Sequence, residues 1–516
     1  MLSALRTQSS PSQSPLDLRV VAAISLLLSL WLILIEPIIN RDAIIYLRTA
    51  EAYLHDGLLA SFLVFDRPFL SIIMAALHQL SGLSLLHSGL LLSAVFYAIL
   101  STSFVSGVRL MGGDRRVQII AAIVILSHPM IASGRDSIMR DAPFWAFSML
   151  AFRTLLLYIR QANLKHQLHW FLFIVGASLF RFEGLFFAVL APLAVFIAAE
   201  RSHRMRISLR LLALPVAAIG SATLVIILVQ TEWLPGSQLF RDIAYYVGKL
   251  LALPADFAQV ASATGKALLV FTAKEDANIA AMAGLTAVLL INIARAIMWP
   301  YVIVLLWGKM QNLGASIPLP ARRLLNAHLL ISLIYLALFI LTNRFMLERY
   351  CQIFTIFVAL YLPFILNAAL APGARSLTKI LAILVLLGMT IDVAYSLGNR
   401  KIYQREAVQW LLQNTAEDAS IVSNSKYIAY FSGRQTDWRN LGAITFRASD
   451  LFAKPALWRG VDYIVVKIKS EEFDQWEGFL KEHSLVELKS ISGERHGKIS
   501  IVKVPPKPTT LRGRRH

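Results

Sequence analysis

Apolar residues run along this chain in long blocks separated by short polar turns. A helix needs about 20 mostly apolar residues to cross a bilayer, and about eleven stretches meet or approach that length. They lie at 19–35, 86–108, 117–133, 142–158, 168–180, 184–199, 210–230, 280–306, 324–342, 350–369 and 377–396. The first run follows a polar leader carrying Arg6 and Arg19, lacks a small-residue cleavage site and passes into Glu36-Pro37. That pattern predicts an uncleaved signal-anchor with a cytoplasmic N-terminus.

The turns divide by charge. Arg109/Arg115/Arg116, Arg160/Lys165, Arg201/Arg204/Arg206/Arg210, Lys309/Arg322/Arg323 and Arg375/Lys379 fall on alternate, short, acid-poor connections. Lys and Arg in short loops stay cytoplasmic, so 36–85, 134–141, 181–183, 231–279, 343–349 and everything after 397 are expected outside. The membrane part therefore covers 1–396, with extracytoplasmic loops at 36–85 and 231–279.

From 397 the apolar blocks stop. Tyr403–Asn414 reads as an amphipathic helix, Ser420–Ser423 as a strand, Lys426–Phe431 as a short helix, Val461–Ile468 as a strand, Glu471–His483 as a helix and Lys498–Val504 as a strand. Alternating strands and helices predict a small extracytoplasmic α/β domain over 397–504. Its first strands lead into no Gly-rich phosphate loop. The Pro-rich, basic tail 505–516 is expected to be disordered.

Composition sharpens this picture. The 516 residues are 57% hydrophobic and 16% charged, against about 25% charged in soluble domains. The net charge of +19 then points to anionic lipid head groups, and a nucleic-acid partner is excluded by the apolar background. The single cysteine, Cys351, rules out an intrachain disulfide or a cysteine-based metal site. His55, His78, His87 and His128 show no metal-ligand spacing and read as packing or interfacial residues.

Candidate chemistry gathers in the outward turns. Asp42 follows the first span by a few residues, within reach of a substrate entering along the interface, and equally suits an N-cap for the following helix. In Ser133–Phe144, Asp136 and Asp141 alternate with Arg135 and Arg140, which also describes a solvated, charge-balanced turn. Arg181 and Glu183 interrupt two apolar runs and must pair or face water, since an isolated charge in hydrocarbon is costly. Arg344, Glu348 and Arg349 precede Tyr350 at the start of the tenth stretch, as helix anchors or as ligands. Asp242, Tyr245, Tyr246 and Lys249 in the 231–279 loop are placed where acceptor specificity is expected to reside. Four turns bringing acids and arginines to one membrane face suit a lipid-borne substrate: guanidinium groups hold a phosphate while a carboxylate deprotonates the attacking group.

These residues resemble the GT-C glycosyltransferases that use polyprenyl-phosphate sugars, including protein O-mannosyltransferases and lipid A aminoarabinose transferase. The resemblance rests on Asp42 with Tyr46, the turn Arg67-Pro68-Phe69-Leu70, Asp141 with Pro143, Arg181-x-Glu183-Gly184, and Arg349-Tyr350 with the later Pro363. The segment Tyr427-Ile-Ala-Tyr430-Phe-Ser-Gly433-Arg434 also looks like the extracytoplasmic domain that ends bacterial members. The resemblance implies Asp42 as catalytic base, Asp141 as a second acid that shapes the acceptor site or assists the base, and Arg67 and Arg349 as ligands of the donor phosphate. Tyr46, Arg140, Arg181, Glu183 and Tyr350 would line the pocket. Aminoarabinose enzymes follow the acid with Glu-x-Arg-Tyr and mannosyltransferases carry an acidic pair, whereas here Asp42 precedes Ala43-Ile-Ile-Tyr46, so the sugar and acceptor stay open. No cofactor is indicated; phosphate is a fair leaving group that arginines can stabilise, so a divalent metal is not obligatory.

The expected protein is thus an inner-membrane, α-helical polytopic enzyme moving a sugar from a polyprenyl-phosphate donor to an extracytoplasmic lipid, polysaccharide or protein. Two other functions share its features. A transporter or flippase of a lipid-linked or anionic solute would need charges deep in the spans, and neither an internal repeat nor a matched pair of Gly/Pro-broken spans is visible. A lipid-linked polysaccharide polymerase or ligase would share the charged outer pocket.

Overall fold

The computed structural model describes residues 14–36, 38–229, 236–269, 274–395, 402–434, 448–493 and 497–505. The leader with Arg6 and the tail 506–516 lie outside them, as do the side chains of Asp242 and Tyr246. Two compact units form: one from Met1–Leu32 and Tyr53–Leu397, the other from Ile33–Ala52 and Gly398–His516.

The first unit is helical. Among the described residues, Leu18–Ile35, Leu85–Leu110, Glu275–Ile297, Leu319–Asn343 and Ser376–Tyr395 are long and apolar enough to cross a membrane. The pair Glu348–Ala359 and Leu362–Ala369, bent by 51°, makes a sixth candidate. Its bend falls beside Pro363, whose ring removes a helical hydrogen bond. The stretches 117–133, 142–158, 168–180 and 184–199 contain shorter helices at Arg115–Leu126, Asp141–Tyr158, Leu164–Phe180 and Glu183–Ala198. Leu85–Leu110 packs on Asp141–Tyr158 through a face rich in Ser, Gly and Ala, the residue sizes that let helices approach closely without a hydrophobic driving force. Leu18–Ile35 and Ser376–Tyr395 expose most of their apolar residues, as lipid-facing helices do, and Trp31 Nε1 donates to the Ala394 carbonyl at 2.8 Å.

Two sequence expectations change here. The stretch 280–306 is not one helix: Lys274–Ile297 and Trp299–Met310 are separated at Met298, where φ is 73°. Pro300 lies in the first turn of the second helix, where its missing N–H costs nothing, whereas in a helix continuing from Lys274–Ile297 it would remove a backbone hydrogen bond and clash with the preceding turn. The segment 231–279, expected as an outward loop, carries the 33-residue helix Gly236–Leu268. Its apolar residues Val247, Leu250, Leu251, Leu253, Phe257 and Val260 recur at helical spacing, but Lys249 and Asp256 keep the run from reading as a span.

The second unit contains a four-stranded mixed sheet in the order β1-β2-β4-β3, from β1 (Ile421–Ser423), β2 (Tyr463–Ile468), β3 (Val486–Ser492) and β4 (Lys498–Lys503). β1 pairs parallel with β2; β4 pairs antiparallel with both β2 and β3. Alternation along β2 sends Ile464, Val466 and Ile468 into one core, with Trp476 and Phe479, and Val465 into another, with Ala407, Leu411 and Ile428. Both faces of β2 are covered, which is why it reads as a continuous apolar run.

Candidate active site

Asp141 occupies the first turn of helix Asp141–Tyr158, and Glu183 begins helix Glu183–Ala198. Both acids thus sit where the partial positive charge of a helix start favours them. Arg181 lies between, extended at φ −143° and ψ 137° just past the end of helix Leu164–Phe180. This leaves its side chain free of helix geometry, and it bonds both carboxylates. Nη1 donates to Asp141 Oδ1, Nη2 donates to Glu183 Oε1, and Nε donates to the same Glu183 oxygen at 2.9 Å. Tyr335 of helix Leu319–Asn343 donates its hydroxyl to Glu183 Oε1 at 2.8 Å. All four side chains are buried. The Arg-x-Glu-Gly turn requires its glycine, because a Cβ at Gly184 would stand 2.6 Å from Ser178 N.

Around this core stand the other residues singled out in the sequence. The Arg181 guanidinium carbon lies 5.5 Å from the centre of the Tyr350 ring and 5.9 Å from that of Phe144. On Tyr350, Arg349 donates to the hydroxyl at 3.2 Å and stacks at 5.2 Å. Arg67 sits 5.9 Å from the ring of Phe182, the residue between Arg181 and Glu183, with its Nε 3.7 Å from Asp66 Oδ2. Arg140, beside Asp141 in the chain, stacks on Phe65 at 5.2 Å, and its Nη1 is buried with no hydrogen-bond partner among the described residues. The first unit therefore brings together Asp141, Arg181, Glu183, Tyr350 and Arg349, with Arg67 and Arg140 on flanking aromatic rings.

Asp42 and Tyr46 belong to the second unit. Asp42 is half-buried immediately before helix Ala43–Val64, and its carbonyl accepts from Ile45 N at 3.1 Å; Tyr46 is buried. The same helix breaks at Gly57, where φ is 82°.

Arg135 departs from the solvated turn expected for 133–144. It is 0% exposed, donates to the Ser25 carbonyl at 3.1 Å and to the Ser25 and Ser29 hydroxyls at 2.9 and 3.0 Å, and lies 4.7 Å from the Tyr97 ring centre. Lys249, in the former loop, donates to Asn343 Oδ1 at 3.5 Å and lies 4.8 Å from the Tyr245 ring centre. Among the described residues no three His, Cys, Asp or Glu side chains converge as metal ligands.

Sequence reasoning missed Tyr335. It sits inside the apolar run Ile331–Ile340, and its only mark is a hydroxyl that must find a partner if buried. Tyr335→Phe removes one donor while Glu183 keeps its arginine; a loss of about 1 kcal/mol is expected, read as a small fall in the thermal midpoint of the detergent-solubilised protein.

The fold of this chain is similar to folds already solved by crystallography. Its similarity is to two solved structures in particular. One is the crystal structure of the Archaeoglobus fulgidus oligosaccharyltransferase in the apo form, at 13% identity and a TM-score of 0.52, covering 87% of this chain and 69% of that one. The other is the crystal structure of ArnT from Cupriavidus metallidurans bound to undecaprenyl phosphate, at 11% identity and a TM-score of 0.52, covering 94% of this chain and 97% of that one. No protein-family model matches the chain, and no curated protein matches it.

Proposed function

We propose that this protein is an inner-membrane glycosyltransferase that moves a sugar from a polyprenyl-phosphate donor to an extracytoplasmic acceptor. The observation that carries the reading is the buried cluster of Asp141, Arg181 and Glu183, with Arg67, Arg140 and Arg349 around it, in a helical bundle of this fold. Charges are expensive in such a setting unless they are paired or serve a substrate. The bound undecaprenyl phosphate of the similar ArnT structure supports a donor of that chemistry.

In this reading Asp42 is the general base. The acceptor oxygen or nitrogen attacks the anomeric carbon, its proton passes to Asp42, and the bond from that carbon to the phosphate oxygen breaks with its electrons leaving on polyprenyl phosphate. A single displacement inverts the anomeric centre. Arg67 and Arg349 hold the departing phosphate, and Arg140 adds its unpartnered Nη1. Arg181 is committed to two carboxylates and braces the site, while Asp141 shapes its acceptor side. The basic connections stay in the cytoplasm and the α/β domain is extracytoplasmic in this reading.

The test uses labelled polyprenyl-phosphate sugar and the full chain in membranes. A lost charge-assisted hydrogen bond to phosphate is worth about 1.5–3 kcal/mol, so Arg140→Gln is expected to raise the donor KM by about 10- to 100-fold. Arg67→Ala should act in the same direction. An unchanged donor KM in both variants would remove the phosphate site from the scheme.

A further inference from the structure

The turn 133–140 carries Arg140 and leads into Asp141, yet its first charged residue, Arg135, takes no part in the displacement. Arg135 is fully buried, and among the described residues no carboxylate pairs with it. Its guanidinium instead bonds neutral oxygens on two helices. Nη1 faces the Ser25 carbonyl and the Ser25 and Ser29 hydroxyls of the first span, and Nη2 donates to Ser101 Oγ of helix Leu85–Leu110 at 3.4 Å. Ser25 and Ser101 also meet each other, hydroxyl to hydroxyl, at 3.3 Å. Both serines of the first span are fully buried on a helix that otherwise turns most of its apolar residues outward.

Leu85–Leu110 holds the same turn from its own side. Ser93 Oγ donates to the Ser137 carbonyl at 2.9 Å, and Ile138 packs so closely that a Cβ at Gly89 would stand 2.6 Å from its Cδ1. Within the turn, Arg135 N donates to the Ala132 carbonyl at 2.9 Å and Ser137 N to the Gly134 carbonyl at 3.2 Å. Shortly past Ile138, Arg140 stacks on Phe65 and Asp141 bonds Arg181.

A charge withdrawn from water is costly, and neutral hydroxyls return only part of that cost. For stability alone, well-packed apolar side chains at these positions would serve as well. What the guanidinium adds is direction, because hydrogen bonds fix angles that apolar contact leaves loose.

We propose that Arg135 is a positioning residue for the donor site: held by the hydroxyls of the first span, it sets the turn 133–140 in the place that aims Arg140 at the donor phosphate. The inference rests on the reading of Arg140 as a phosphate ligand. The first span is then a working strut of the site as well as an anchor in the bilayer.

The experiment measures donor KM and kcat for the full chain in liposomes with labelled polyprenyl-phosphate sugar, and the thermal midpoint in detergent. Arg135→Met is expected to raise the donor KM by about 10-fold with kcat near its parental value, because a displaced Arg140 loosens the phosphate in ground and transition state alike. Ser25→Ala combined with Ser29→Ala is expected to act in the same direction. Added to Arg135→Met, the serine pair should raise the KM no further, since both changes remove one set of contacts. Arg135→Lys is expected to recover most of the parental KM, because the three acceptors facing Nη1 suit the three hydrogens of an ammonium. A parental donor KM in Arg135→Met, with or without a lowered midpoint, overturns the proposal, as does a serine pair whose effect adds fully to that of Arg135→Met. Where Arg135→Met does not accumulate folded, the KM of the serine pair decides by the same reading. Arg140→Gln is run alongside. A parental donor KM in that variant fails the phosphate reading itself; a raised one beside a parental Arg135→Met removes only the role of Arg135.

Discussion

Asp42→Asn is expected to reduce transfer by about 10²- to 10⁴-fold while leaving the donor KM near its parental value. Asparagine matches the carboxylate in size but cannot accept the acceptor's proton, so the loss appears in kcat. Asp42 is half-buried at a helix start and outside the hydrophobic cores of its unit, so the variant should keep its fold. Initial rates with labelled donor, taken with the thermal midpoint, separate the two effects. A variant with parental kcat would remove Asp42 from the mechanism.

The second large effect is on stability. Arg181→Met removes the guanidinium that bonds both Asp141 and Glu183 and leaves two carboxylates buried with their countercharge gone. Breaking a buried ion pair from one side costs about 3–5 kcal/mol. The side chain is only 9% exposed, so solvent screening relieves little of that cost. The thermal midpoint in detergent should fall steeply. Arg181→Met combined with Asp141→Asn and Glu183→Gln should recover a large share, because neutral amides do not need the missing charge. An unchanged midpoint in Arg181→Met would show that the cluster does not brace the turns.

The sequence marked which residues had to be dealt with more clearly than how. Arg181 and Glu183, caught between apolar runs, had to pair or face water, and they pair with each other. That Asp141, 40 residues earlier, shares the same arginine is a long-range contact that no local pattern encodes. Tyr335 lies farther still, 152 residues from Glu183, in a run whose periodicity only says buried helix. Arg135 looked solvated because it alternates with acids. Its serine partners Ser25 and Ser29 are on the first span, where small hydroxyls read as neutral spacers. The break at Met298 was readable from Trp299-Pro300 but was masked by continuous hydropathy over 280–306.

The second unit shows the same division. β2 announced itself as an apolar run, and Lys426–Phe431 as a short helix, because burial imposes its pattern on the sequence. β3 is mostly exposed and carries charges on a sheet edge, the arrangement that blunts edge pairing and also hides a strand. The grouping of 33–52 with the C-terminal unit joins residues as distant in the chain as Glu51 and Tyr430, 379 apart, which no local pattern encodes.

The central claim is covalent transfer from a lipid-linked sugar. The direct measurement places the full chain in sealed liposomes containing polyprenyl-phosphate sugar labelled in the sugar, with acceptor outside, and follows both the label and the lipid. Glycosyl transfer predicts that label appears on the acceptor and that free polyprenyl phosphate accumulates in equal amount, with both lost in Asp42→Asn. Label that crosses the bilayer still attached to its lipid, with no free polyprenyl phosphate formed, would contradict it and assign the protein to transport.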